Sequence, residues 1–397
     1  MLEKEKEGYR MISYLKRYKQ NFDYPLLFTY IFLCLFGLVM IYSASMVWAV
    51  QVYGYEPNHF YKRQVINLLV AIPVFLIAAF IPYKHYRRKS IMATMLLMMF
   101  ILLFLVHFKG DGVNGARSWL SFSSLRLQPS EIAKVILILY LASVFTNKKL
   151  KGNLNSLNES IAPPITIIVI VFFSVLFEVD MGNASIILFV SVAVLAASGI
   201  YFKTFAKLFS IIFGLIVLCS PILYLVRDKL ITPKRVERLE AYLNPFQYAQ
   251  EAGYQVVNGY LAIGAGGLKG LGLGQSIQKQ GYLPEPQTDF IMAIIAEELG
   301  VFGTLVVIGG LGFIVLRAFT IALNTDDTQA RMIATGVGSL IGFQTFINLG
   351  GLLGIIPLTG VTLPFISYGG TSIVLLSLAM GILLNVSMFV KYEKTRS

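Results

Sequence analysis

Apolar runs of roughly 17 to 25 residues recur along this sequence, each long enough to cross a hydrocarbon core of about 30 Å as a helix. Few folds tolerate that pattern. The period-2 alternation of a membrane barrel is absent, and lipid requires each backbone polar group to be satisfied within its own segment, so helices are the expected spans. Composition agrees, because 56% hydrophobic residues, 14% charged residues and a mean hydropathy of +0.71 are too apolar for a soluble domain. The sequence predicts an all-α polytopic membrane protein of about ten transmembrane helices, near 25–48, 64–82, 90–108, 129–147, 161–178, 184–201, 205–226, 290–317, 332–353 and 370–390.

Charge sets the expected orientation. The tail 1–24 carries Lys4, Lys6, Arg10, Lys16, Arg17 and Lys19, and with an inside N-terminus 20 of the 33 Lys and Arg residues fall in cytoplasmic segments. Both termini are therefore placed inside. A single transmembrane domain over 25–390 lies between cytoplasmic tails 1–24 and 391–397, with an extracellular loop, 227–289, between helices 7 and 8. The net charge of +12 does not point to nucleic acid, because the basic residues are scattered among loops between spans. Cys34 and Cys219 lie inside apolar runs and read as small core hydrophobes. The first run follows a charged stretch without a small-residue cleavage site and reads as a retained span.

Three outer segments face one side: 109–128, 227–289 and 354–369. Pro129 beside Ser130 and Glu131 is a helix-start signal. Glu131 and Lys134 lie three apart on one helical face, where they can pair with each other or serve a substrate. Trp119 suits an interfacial anchor as well as a site. Glu178 and Asp180 read as a solvated turn. Glu297 and Glu298 lie within a span, where they either pair with a buried cation, for which Lys134 is a candidate, or line a polar cavity.

The long loop opens on a polar stretch with Arg235, Arg238 and Glu240 at helical spacing, which equally describes a solvated surface helix. It continues into six glycines between Gly264 and Gly274. Exposed amides in such a run can cradle phosphate, but neither a P-loop nor a dinucleotide pattern is present, and a closely packed re-entrant segment explains it equally.

Outer carboxylates (Glu240, Glu285, Asp289) stand among cations (Arg117, Lys134, Arg235, Arg238), which suits a lipid-linked anionic substrate. Cations or a metal would hold its phosphates while a carboxylate handles a proton or that metal. No nucleophile elbow, zinc pattern or Walker lysine is present. A transporter would use the same materials, so on these residues the two readings stand level.

The stretch Tyr282-Leu283-Pro284-Glu285-Pro286-Gln287-Thr288-Asp289-Phe290, followed by Ala296-Glu297-Glu298-Leu299-Gly300, resembles the signature of the SEDS family (shape, elongation, division and sporulation). So do Asn348-Leu349-Gly350-Gly351, Pro364-Phe365-Ile366-Ser367-Tyr368-Gly369-Gly370, Ala116-Arg117-Ser118-Trp119 and Gln128-Pro129-Ser130-Glu131. The match covers nearly the whole chain. Asp23-Tyr24-Pro25 and Tyr42-Ser43-Ala44-Ser45-Met46 are more similar to the family's division members than to its elongation members.

That resemblance implies a peptidoglycan glycosyltransferase that polymerises lipid II at the outer face of the bacterial plasma membrane, needs no organic cofactor, and serves septal wall synthesis. Asp289 matches the family's essential aspartate, as general base or as holder of a divalent cation such as Mg2+ or Mn2+. Arg117, Lys134, Arg235 and Arg238 are the implied pyrophosphate contacts, with Trp119, Glu131, Glu240, Glu285, Glu297 and Ser367 in support. A class B penicillin-binding protein and other divisome proteins are the implied partners. One departure stands out: many members carry His before the Thr-Asp pair, and this chain carries Gln287.

Overall fold

A computed structural model describes residues 20–113, 116–122, 125–207, 210, 240–251 and 253–395. Eight of its helices are long and apolar enough to cross a membrane. They are α1 (Tyr24–Gln51), α2 (His59–Phe80), α3 (Lys89–Lys109), α4 (Pro129–Leu150), α5 (Ala162–Phe177, which with the helical turn before it spans Glu159–Phe177), α8 (Ile291–Leu323), α9 (Thr328–Leu352) and α10 (Gly370–Lys394). A ninth expected span appears as the shorter α6 (Met181–Ala196), while the expected helix at 205–226 lies almost wholly outside the described residues.

Local chemistry sets the helix starts. Asp23 caps α1 by accepting from the Leu26 amide at 3.4 Å, with Pro25 in the first turn, and its other oxygen takes the Arg317 Nε of α8 at 2.8 Å. Asp180 caps α6 in the same way, accepting from the Asn183 amide at 3.1 Å. Burial then sorts the helices. α4 is buried on almost every side, α9 and α10 largely so, whereas most of α3 faces outward, as a lipid-contacting helix does. Close approach is by small residues: a Cβ on Gly381 of α10 would lie 2.4 Å from the Phe75 carbonyl of α2.

Two features add to the all-α expectation. Three short strands, β1 (Asp111–Val113), β2 (Ala116–Phe122) and β3 (Leu125–Leu127), form a small antiparallel sheet in the order β1-β2-β3. Inside the long loop, α7 (Tyr254–Gly266) packs along α8. The glycine run after α7 then lies backbone to backbone on α8, with Leu271 N donating to Glu297 O and Gly272 N to Glu298 O, both at 2.9 Å. Here α8 bends, at Gly300 with φ 62° and ψ −153°, so the run reads as a close-packed segment fitted to a kink.

Contacts between Gln128 and Asp180, Tyr53 and Glu285, Phe60 and Tyr368, and Thr371 and Arg126 gather the sheet and the 178–180, 240–290 and 353–369 segments at one end of the bundle.

Candidate active site

Asp289 is the last polar residue before α8, half-buried where loop becomes helix. Its backbone is held from α9: Asn348 Nδ2 donates to the Asp289 carbonyl at 2.8 Å and to the Val361 carbonyl at 2.7 Å. Thr288 Oγ1 donates to Asp289 Oδ1 at 2.9 Å. One residue earlier, the Gln287 carbonyl accepts from the Tyr368 amide at 2.8 Å, which joins this loop to the segment before α10. Asp289, Ile347, Asn348, Gly351 and residues 358–361 line a cavity of about 10 Å³, room for about one water.

Burial pushes the Asp289 carboxyl above the ordinary carboxylate range; the Thr288 hydroxyl works against this and the Glu285 charge adds to it. Among the described residues no cation is ion-paired with it. The buried Asn348 Oδ1, in the same lining, has no hydrogen-bond partner. One carboxylate beside one unpaired amide oxygen is a donor set that suits a hard cation completed by water and phosphate oxygens. Among the described residues there is no cluster of three His, Cys, Asp or Glu side chains.

Lys134 departs from its expected place as a phosphate contact. It is 1% exposed, and its Nζ bonds Glu131 at 2.7 Å, Asn183 Oδ1 at 3.0 Å and Gln344 Oε1 at 3.5 Å. Its charge is spent on Glu131, so pairing wins over ligand binding. The network still touches the cavity wall, because Gln344 Nε2 donates to the Thr362 carbonyl at 3.1 Å and Gly182 packs against Thr359 and Val361.

Lys134 is also not the cation for Glu297 and Glu298. That cation is Lys279, itself 1% exposed, with Nζ 2.7 Å from Glu298 and 3.1 Å from Ser43 Oγ. Glu297 accepts from Ser276 Oγ and from the Ile277 amide at 2.9 Å, closing the turn that carries Lys279. The 178–180 turn is likewise not a solvated one. Glu178 is 3% exposed with neither carboxylate oxygen bonded, and Asp180 takes Gln128 Nε2 at 2.9 Å.

The remaining expected site residues spread out. Trp119 is half-buried on β2, paired with Asp111 of β1; Arg117 lies on β2 but its side chain, like Arg235 and Arg238 entirely, is outside the described residues. Glu240 is exposed and accepts from Tyr248 Oη at 2.9 Å, away from the cavity lining. Glu285 takes Tyr53 Oη at 3.2 Å, and Ser367 Oγ closes its own turn by accepting from the Leu363 amide at 2.8 Å. The residues brought together at Asp289 are Asn348, Thr359 and Gly360. Of these, only Asn348 lay in a motif singled out in sequence, Asn348-Leu349-Gly350-Gly351.

Known proteins match this architecture along its length. The FtsW/RodA/SpoVE profile, described as cell cycle protein, matches residues 24–392. A probable peptidoglycan glycosyltransferase FtsW of Bacillus subtilis is 45% identical over 96% of this chain and 94% of its own. The stage V sporulation protein E of the same organism is 36% identical over 94% of this chain and 99% of its own. A solved chain, described under structural coordination of polymerization and crosslinking by a peptidoglycan synthase complex, superposes with a TM-score of 0.73 at 25% identity, covering 93% of this chain and 98% of that one. The fold is also that of Thermus thermophilus RodA, with a TM-score of 0.64 over 92% of this chain and 96% of that one at 24% identity. The chain is a multi-pass membrane protein that belongs to the FtsW/RodA/SpoVE family, the SEDS family its motifs resemble.

Proposed function

We propose that this protein is a peptidoglycan glycosyltransferase that polymerises lipid II at the outer face of the plasma membrane, for the septal wall of dividing cells. The reading is supported by relatives named peptidoglycan glycosyltransferase FtsW, at 34–45% identity over most of the chain. In the reaction, the 4-hydroxyl oxygen of the acceptor GlcNAc bonds to the anomeric carbon of the donor MurNAc with inversion. The bond from that carbon to phosphate breaks, and undecaprenyl diphosphate leaves with the electron pair. Asp289 takes the hydroxyl proton.

One observation carries this assignment: Asp289 is a half-buried carboxylate at the cavity, unpaired with any cation among the described residues and made more basic by burial. A proton acceptor needs those properties. Residues 358–361 must part from Asp289 before a sugar can reach it, since the cavity holds about one water. A second reading of the same carboxylate draws on the orphaned Asn348 Oδ1: Asp289 and Asn348 would hold a divalent cation, which when bound offsets the charge of the leaving diphosphate. Crosslinking would fall to a class B penicillin-binding protein acting beside this chain within the divisome, in keeping with the synthase complex of the solved relative.

The test is lipid II polymerisation by the purified protein with its transpeptidase. Asp289→Asn is expected to lower the rate about 100-fold or more while the complex stays intact. Undiminished polymerisation by that variant refutes the assignment. Labelled lipid II crossing proteoliposomes, with no polymer formed and no effect of Asp289→Asn, would make the protein a transporter. Activity that survives thorough chelation removes the cation and leaves the base.

A further inference from the structure

Gln344 of α9 is 0% exposed, and the two ends of its amide meet partners of opposite kind. Its Oε1 accepts from Lys134 Nζ of α4 at 3.5 Å, and its Nε2 donates to the Thr362 carbonyl at 3.1 Å. Turned over, the amide would set its N–H groups against the ammonium and its oxygen against the carbonyl oxygen, so only one orientation is satisfied. Lys134 enforces that orientation, because its three N–H groups go to Glu131, Asn183 and Gln344, acceptors all. Such a network has a bland role, to satisfy a lysine inside a helix bundle. Any acceptor would meet that role, and none would need a second end that reaches the segment over Asp289.

Asn348, one turn further along the same face of α9, does for Val361 what Gln344 does for Thr362. Its Nδ2 donates to the Val361 carbonyl at 2.7 Å and to the Asp289 carbonyl at 2.8 Å. Two successive carbonyls of the segment are thus pinned to one helix, and that helix also holds the backbone of Asp289. Just ahead of the pinned pair, Gly360 has φ +71°, and a Cβ on it would lie 4.0 Å from Asp289 Oδ2, so the chain passes close against the carboxylate. The near end of the segment is tied at its surface, where Tyr242 Oη donates to the Ile355 carbonyl at 2.9 Å. When residues 358–360 part from Asp289, the turning point is therefore Gly360, with Val361 and Thr362 staying on α9.

We propose that Gln344 is a positioning residue for the reaction: through the Thr362 carbonyl it fixes where residues 358–360 come to rest beside Asp289, and so sets the geometry in which an acceptor hydroxyl meets the carboxylate. It touches no substrate and acts through the segment alone. The effect on rate rests on the polymerase reading, whereas the hold on the segment does not. Lys134 gains a use that its pairing with Glu131 leaves open, which is to keep the Gln344 amide turned toward Thr362.

Hydrogen exchange followed by mass spectrometry on the full chain in detergent reads the segment, and lipid II polymerisation by the complex with the transpeptidase reads the rate. Gln344→Met, close in size but without donor or acceptor, is expected to speed exchange over residues 357–363 by about 5- to 10-fold, while α4, α6 and the rest of α9 keep their protection. The same variant should lower kcat at least about 10-fold and leave KM for lipid II within about threefold, since a displacement of about 1 Å at reacting groups costs that much in rate. Gln344→Asn keeps the amide but draws it back by one methylene, and should shift both readouts the same way by less. Should the methionine variant unfold, the asparagine variant decides by the same comparison. Unchanged exchange over 357–363 in a folded variant overturns the proposal. Faster exchange spread equally over α4, α6 and α9 also overturns it, leaving Gln344 a packing residue only. So does a raised KM with kcat retained, which would make Gln344 serve binding. A wild-type protein that makes no polymer would sink the polymerase reading while exchange still decides whether Gln344 holds the segment; a polymerising wild type matched in kcat by the methionine variant would do the reverse.

Discussion

Replacing Gly270 with alanine separates the two roles that a glycine run can have. Gly270 has φ +77°, and a Cβ built on it would lie 2.2 Å from the Glu298 carbonyl oxygen and 2.7 Å from the Gly300 amide nitrogen, both backbone atoms that no rotamer can move aside. Relief requires the loop and α8 to separate by about an ångström, given ordinary contact distances. The bonds from Leu271 N to Glu297 O and from Gly272 N to Glu298 O, both 2.9 Å, would then break. Each buried bond lost costs about 1–3 kcal/mol, and the left-handed backbone adds about 1–2 kcal/mol for a residue with a Cβ. Gly270→Ala should therefore destabilise by on the order of 5 kcal/mol. Gly264 is the internal control. It lies exposed in α7 with nothing within 4 Å of its Cβ position, so Gly264→Ala should be neutral or gain up to about 1 kcal/mol of helix propensity. Denaturant titrations in mild detergent, followed by circular dichroism, measure the difference. If Gly270→Ala unfolds within about 1 kcal/mol of wild type yet binds lipid II poorly, the packing argument fails and the run cradles phosphate instead.

Two further substitutions probe the buried charges. Lys279→Met leaves the Glu298 carboxylate, 0% exposed, with only neutral donors, and should cost about 3–5 kcal/mol; Lys279→Met/Glu298→Leu should recover part of that, and a single variant as stable as wild type would show that the pair contributes nothing. Burial and then the Asp180 charge push the Glu178 carboxyl up to about 8, so its folded value exceeds its unfolded one. The stability from its neutral form is present below the ordinary carboxyl value and lost as pH rises through about 8; Glu178→Gln should flatten that fall, and an unchanged pH profile of unfolding would refute it.

The spans were legible because lipid imposes a length and an apolarity that few other segments share, and α1 to α6 and α8 to α10 lie where the apolar runs do. What escaped the sequence was held by contacts between distant segments. Lys279 lies in a short polar stretch with no pattern of its own, and only the fold sets it against Ser43 and Glu298, 236 and 19 residues away. Glu178 and Asp180 looked like any turn, since nothing local reveals that α4, through Gln128, closes over them. α7 has 13 residues, too few for a span, and ends in the glycines that fit it to α8. Asp289 was found by the motif around it, whereas the groups that hold it come from α9 and from residues 359–361.

Those holding groups also explain how the chain accommodates Gln287 where the family resemblance leads one to expect histidine. The joint between the Asp289 loop and the start of α10 is made by the Gln287 carbonyl and the Tyr368 amide, so it depends on the backbone and not on the side chain. The side chain itself is 1% exposed, and its Oε1 has no partner, which a proton relay could not tolerate. A side-chain amide neither gains nor loses a proton near neutral pH, so in the proposed reaction the acceptor hydroxyl would give its proton to Asp289 directly or through water. The site then needs from residue 287 only a buried, neutral side chain of suitable size. On the proposed reading the proton-accepting role would then rest on Asp289, whose basicity burial raises.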